Sequence, residues 1–150
     1  MDAFLIIGYG NTLRGDDAAG PRVAETVAAM NLPGVRVLAC PLLTPELADP
    51  ISQAQTVLFV DAAVDAPHKV RLRKLHPAKS AQILAHAANP PALLALARDV
   101  FGRAPQAWCL TIPAMKFDFG GDFSPKTQQA IAIALQKIES LCRHPKPAGA

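Results

Sequence analysis

Residues 4–22 open with an apolar run, Phe4-Leu5-Ile6-Ile7, that stops at Gly8. A polar loop broken by Gly10 and Gly15 follows, and the adjacent acids Asp16-Asp17 stand ahead of a helical pattern. A run apolar on both faces is buried on both faces, which suits a central strand of a parallel sheet. Strand, tight turn and helix start, in that order, belong to an open α/β sheet. In such sheets ligands bind beyond the carboxyl ends of the strands. The stretch therefore restricts both the fold class and the place where chemistry can occur.

The same alternation continues along the chain. Strands are expected at residues 3–9, 35–40, 56–60 and 107–112, with the third stopping at Asp61. Helices are expected at 17–30, 45–53, 90–101 and from Ser124 to Leu141. Val23, Val27 and Met30, and later Ile131, Leu135, Ile138 and Leu141, recur at helical spacing. Thr44 and Ser124 have the chemistry of helix N-caps. Val70-Arg71-Leu72-Arg73-Lys74-Leu75 alternates apolar and charged residues, as a half-exposed edge strand does. Residues 77–86 fit no single element, and 117–123 form a glycine-bearing loop. The expected fold is a three-layer α/β/α sandwich around a mostly parallel sheet of about five strands, with one edge strand able to run antiparallel.

A chain of 150 residues holds one domain with a proper core. The domain is expected over 1–142, with a Pro-rich tail at 143–150. At 51% hydrophobic residues the chain is not disordered, and at 5% aromatics its core must be aliphatic. Of the net charge of +3, two units belong to Arg143 and Lys146 in the tail, so no field steers nucleic acid. No apolar run approaches the roughly 18–20 residues that span a bilayer. No charged and apolar leader precedes the first strand, so no signal peptide is expected. The cysteines, Cys40, Cys109 and Cys142, form no C-x-x-C pattern. That suits reduced thiols in a cytoplasmic protein, with Cys40 and Cys109 as small buried strand residues. No large apolar stripe is left after the core is assigned, so a monomer is expected, with neither nucleic acid nor membrane as partner.

Several residues can carry chemistry. Gly8-x-Gly10 lacks the third glycine of a dinucleotide loop, since Leu13 stands there, and the second strand ends in Cys40-Pro41 with no acid for a ribose. Either Asp16 or Asp17 can favour the helix start, contributing about 0.5–2 kcal/mol. One acid suffices for that, and the second adds repulsion that a bound cation would relieve. Asp61 follows Val57-Leu58-Phe59-Val60 and either orders a loop or faces the cleft. If the first and third strands are neighbours, Asp61 converges with Asp17. His68 and His76 flank the charged edge strand and read as solvated, and His144 lies in the tail. His86 stands shortly before Asn89-Pro90-Pro91, where a loop turns into a helix. Together, Asp17, Asp61 and His86 would make a two-carboxylate, one-imidazole set. Such a set suits a borderline divalent ion such as nickel or zinc and leaves positions open for another ligand. The chain has no G-x-S-x-G, no H-E-x-x-H and no Ser-His-Asp signature.

The sequence resembles the maturation endopeptidases of nickel–iron hydrogenases. Gly8-Tyr9-Gly10-Asn11, Asp16-Asp17 and Gly20-Pro21-Arg22 stand where that family carries its opening motif. Thr44-Pro45-Glu46-Leu47-Ala48 is similar to a segment of one branch, and Val60-Asp61-Ala62 to the family's third-strand aspartate. His86 with Pro90, Leu93, Leu94, Phe101, Gly102 and Pro105 resembles its histidine and following helix, and Ser124-Pro125 the segment before its last helix. The resemblance implies an endopeptidase that removes a C-terminal peptide from the precursor of a hydrogenase large subunit after nickel insertion. It implies that Asp17, Asp61 and His86 meet that nickel and serve the cleavage. The nickel would come with the substrate as a recognition element, and zinc or cadmium would be able to substitute.

Two loops depart from the family. Cys40-Pro41-Leu42-Leu43 replaces a histidine–glutamine pair common in one branch, and Ala114-Met115-Lys116 replaces a glycine and two acids. These departures keep two other readings open. One is a non-catalytic relative that binds a metal or the large subunit, and the other is a small-molecule, metal-dependent hydrolase.

Overall fold

The apolar runs and amphipathic stretches become five strands and four α-helices in a computed structural model that describes residues 2–64, 69–79, 89–120 and 122–144. The strands are β1 (Asp2–Tyr9), β2 (Val35–Cys40), β3 (Ala54–Ala63), β4 (Arg71–Leu75) and β5 (Gln106–Pro113). The helices are α1 (Ala19–Ala29), α2 (Ala48–Ser52), α3 (Pro90–Phe101) and α4 (Pro125–Arg143). The sheet order is β2-β1-β3-β5-β4. All pairs are parallel except β4 with β5, so the charged edge strand is the antiparallel one. β1 and β3 are neighbours, the condition under which Asp17 and Asp61 meet.

Side chains alternate across the pleat, so each central strand buries two faces. Ile6, Leu58, Val60 and Leu110 pack with Val23 and Val27 of α1 and with Ala134 and Ile138 of α4. On the opposite face Ile7, Val57 and Phe59 pack with Ile51 of α2 and with Leu93 and Leu94 of α3. This is the expected three-layer sandwich. Apart from Ala134, each of these buried side chains contributes about 1.5–3 kcal/mol of hydrophobic stabilisation. No helix among the described residues is long and apolar enough to cross a membrane.

Several local expectations change. β3 does not stop at Asp61, because Asp61, Ala62 and Ala63 continue the ladder opposite Thr111, Ile112 and Pro113. The expected first helix is a 3-10 helix over Gly15–Ala18 followed by α1, since the side chain of Asp16 is tied to another loop rather than to the helix end. The second helix likewise divides into a 3-10 helix over Pro45–Leu47 and α2, and Thr44 stands at the cap position without a side-chain cap bond. Cys109 is buried, whereas Cys40 on the outer strand β2 is only partly so. α4 extends past Leu141 to include Arg143.

Candidate active site

Register and pleat assemble a polar row at the carboxyl edge of the sheet. Gly8 pairs with Val60, so the next residues, Tyr9 and Asp61, stand side by side on one face. Cys40 is in register with Tyr9, Thr111 with Asp61, and Arg71 with Thr111. One row deeper the central positions are Ile7, Phe59 and Cys109. The polar row therefore lies on the roof of the core that α2 and α3 cover.

Asp17 reaches this row from the loop after β1. Gly10 has φ +151°, and a Cβ there would strike the Asp17 carbonyl, so only glycine lets the turn close this tightly. The Asn11 N–H donates to Asp17 Oδ2 at 2.7 Å, and the Asp17 N–H donates to the Arg14 carbonyl at 3.0 Å. The charge of Asp17 is felt at Asp61. Burial first, and then Asp17, push the Asp61 carboxyl above its ordinary range, against the hydrogen bonds from Tyr9 and the Ala62 N–H and the positive charge of Arg73. Two carboxylates sharing a half-desolvated edge repel one another, and a cation between them would remove that cost.

Tyr9 is the residue that sequence reasoning missed. Burial, and then the Asp61 charge, hold its phenol far above the usual range, so it stays protonated, a donor standing beside the Asp61 carboxyl. No local signal marks it, because only the register between β1 and β3 brings Tyr9 beside Asp61 on one face.

The two adjacent acids separate in role. Asp16 is fully buried. Its Oδ2 accepts from the N–H groups of Met115 (2.7 Å) and Lys116 (2.8 Å) and from the Ser124 hydroxyl (2.8 Å), while Oδ1 accepts from the Ser124 N–H (2.8 Å). Burial pushes its carboxyl up, but these donors outweigh it and hold the carboxyl below its ordinary value. Neither aspartate makes a side-chain cap. Asp16 instead ties the loop after β1 to the loop after β5, a junction completed by the Gly120 N–H on the Leu13 carbonyl (3.0 Å) and by Arg14 over the Phe119 ring (5.4 Å).

The structure thus places Asp17 in the loop after β1 and Asp61 on the neighbouring strand β3, within reach of the charge of Asp17. His86 lies outside the described residues, as does His68, while His76 is exposed. Among the described residues no three His, Cys, Asp or Glu side chains are grouped to hold a metal ion. Burial holds the thiols of Cys40 and Cys109, on the face that α2 and α3 cover, above their ordinary range, and does the same to Cys142 at the far end of α4, up to about 11, so all three stay protonated at neutral pH.

Clefts of about 350 and 450 Å³ lie at the far end of α4, where Arg143 and Glu139 form an ion pair at 3.7 Å. Around the site, exposed Leu13, Leu42, Val64, Met115 and Phe119 project from the loops after β1, β2, β3 and β5.

Solved structures with this architecture carry one recurring description. The hydrogenase maturating endopeptidase HybD from E. coli matches with a TM-score of 0.69 at 20% identity, over 95% of this chain and 93% of that one. The [NiFe] hydrogenase maturation protease HycI from Thermococcus kodakarensis KOD1 matches with a TM-score of 0.74 at 18% identity, over 95% and 94%. The hydrogenase 2 maturation peptidase from Thaumarchaeota archaeon SCGC_AB-539-E09 matches with a TM-score of 0.68 at 23% identity, over 92% and 97%. The chain shares the fold of these hydrogenase maturation proteases. No protein-family model matches it, and no curated protein matches its sequence.

Proposed function

We propose that the protein is an endopeptidase that removes a C-terminal peptide from a nickel-loaded precursor of a hydrogenase large subunit. The observation that carries this reading is the meeting of Asp17 and Asp61, from a loop after β1 and from β3, at one edge of a sheet whose fold is that of hydrogenase maturation proteases. Two carboxylate oxygens and the imidazole of His86 supply part of a shell that nickel accepts. The thiolates of the precursor would complete it, so that only a loaded substrate docks well. The nickel is then cargo that licenses cleavage, and zinc or cadmium can stand in for it. Cleavage uses a water activated by one of the carboxylates or polarised by the metal. The exposed apolar rim supports a polypeptide substrate.

The test is incubation of the full chain with a nickel-loaded precursor from the same organism, read by intact mass. A discrete, nickel-dependent loss of a C-terminal peptide is expected. Asp17→Asn, Asp61→Asn and His86→Ala should each abolish it at unchanged melting temperature. Tight binding without cleavage, with the precursor shown to be competent for another maturation protease, would establish the non-catalytic relative instead. Turnover of generic amide or phosphate substrates without nickel would favour the small-molecule hydrolase.

A further inference from the structure

We infer that Tyr9 is a positioning residue for Asp61, holding part of its carboxylate by hydrogen bond and presenting the remainder to the cation. The inference rests on the metal-facing role proposed for Asp61.

Tyr9 and Asp61 are lateral neighbours on one face of the sheet, one residue beyond the Gly8–Val60 pair. The Tyr9 ring packs against the core that α2 and α3 cover, so the phenol is aimed from a fixed base rather than from a mobile side chain. A phenol beside a carboxylate acts as donor, and it has one proton to give. The Ala62 N–H, next in the chain, also favours the charged form of the same carboxylate. A carboxylate has about four lone-pair sites, so a bond from Tyr9 leaves room for a metal while limiting how the group can turn. On the opposite side of Asp61, Thr111 is in register, and Arg73 contributes charge from the edge strand. Tyr9 is thus the side chain that can hold Asp61 toward β1 and the Asp17 loop.

Donors that orient a metal-binding carboxylate matter nearly as much as the ligand itself, and their removal costs about 10–100-fold in metal affinity or activity. Tyr9→Phe keeps the ring and its packing and removes only the hydroxyl. The experiment titrates the full chain with Ni²⁺ by calorimetry for wild type, Tyr9→Phe and Asp61→Asn, with the melting temperature of each metal-free protein as control. Wild type is expected to bind, Asp61→Asn to lose binding, and Tyr9→Phe to bind about 10–100-fold more weakly at unchanged melting temperature. With Co²⁺ as probe, the visible absorption spectrum of Tyr9→Phe should differ from that of wild type, a change that distant packing defects do not produce. Wild-type affinity and an unchanged Co²⁺ spectrum in Tyr9→Phe would overturn the inference and leave the role of Asp61 standing. Asp61→Asn binding Ni²⁺ like wild type, or wild type showing no binding at millimolar Ni²⁺, would overturn the metal-facing role of Asp61 and this inference with it. Should Tyr9→Phe not fold, Tyr9→Leu, which keeps apolar bulk and offers neither a donor nor a metal ligand, takes its place. Binding about 10–100-fold weaker than wild type would support the inference, and wild-type affinity would overturn it.

Discussion

Replacing Asp16 with alanine would strand three backbone N–H groups and a hydroxyl inside the junction of two loops. An orphaned donor costs about 1–3 kcal/mol when buried and less where water can reach it, so Asp16→Ala should destabilise the domain by about 3 kcal/mol in urea unfolding at neutral pH. The acid response follows from the lowered carboxyl of Asp16. The folded state keeps the ion at pH values where the unfolded chain takes up a proton. Its stabilisation is therefore complete above the ordinary aspartate value of about 3.9 and is lost as pH falls through the lower folded value. Unfolding curves should show wild type losing stability below about pH 4, with a shallower further loss in the already weakened Asp16→Asn. Gly10 tests the neighbouring acid. A Cβ at Gly10 would drive into the Asp17 carbonyl. Gly10→Ala should therefore cut precursor processing at least about tenfold, since a small misplacement of a reacting group is costly. Unchanged processing in Gly10→Ala would show that the placement of Asp17 tolerates movement.

At the scale of elements, the two capped helices make a controlled comparison. Asn89 caps α3 by accepting the Ala92 N–H at 2.9 Å. The Ser124 hydroxyl accepts the Thr127 N–H at 3.3 Å at the start of α4 and also donates to the buried Asp16. Asn89→Ala should cost about 1 kcal/mol, an ordinary cap. Ser124→Ala should cost about 2 kcal/mol or more, because it removes a cap and a bond to a buried charge together. Denaturant unfolding of both variants decides it, and equal costs would mean that Asp16 is satisfied without the hydroxyl. The same linkage accounts for a difference between expectation and fold. The helix start after Asp16-Asp17 was legible, yet its 3-10 geometry was not, because the partners of Asp16 lie about a hundred residues away in the chain. β3 likewise outran its apolar run, since Asp61 belongs to a strand only when Thr111 stands opposite it.

For the whole molecule, the antiparallel edge strand β4 carries Arg71, Arg73 and Lys74, charges that discourage pairing with another chain at that edge. Strand and helix periodicity are local properties, so the alternation of β1, α1, β2, β3, β5 and α4, and the charged alternation of β4, could be read from residues alone. The aliphatic core was legible for the same reason, since Leu5, Ile7, Val57 and Phe59 recur at the spacing that a pleated strand buries. Asp17 and Asp61 could be singled out by their places after a buried strand. The tertiary structure decided what no local pattern holds. Register between β1 and β3 set Tyr9 against Asp61, and a contact spanning most of the chain made Asp16 a buried tie and left Asp17 at the edge of the sheet beside the Asn11 N–H. Periodicity records how a segment meets solvent and core, whereas the partner of a buried polar group is chosen only when distant segments close upon it.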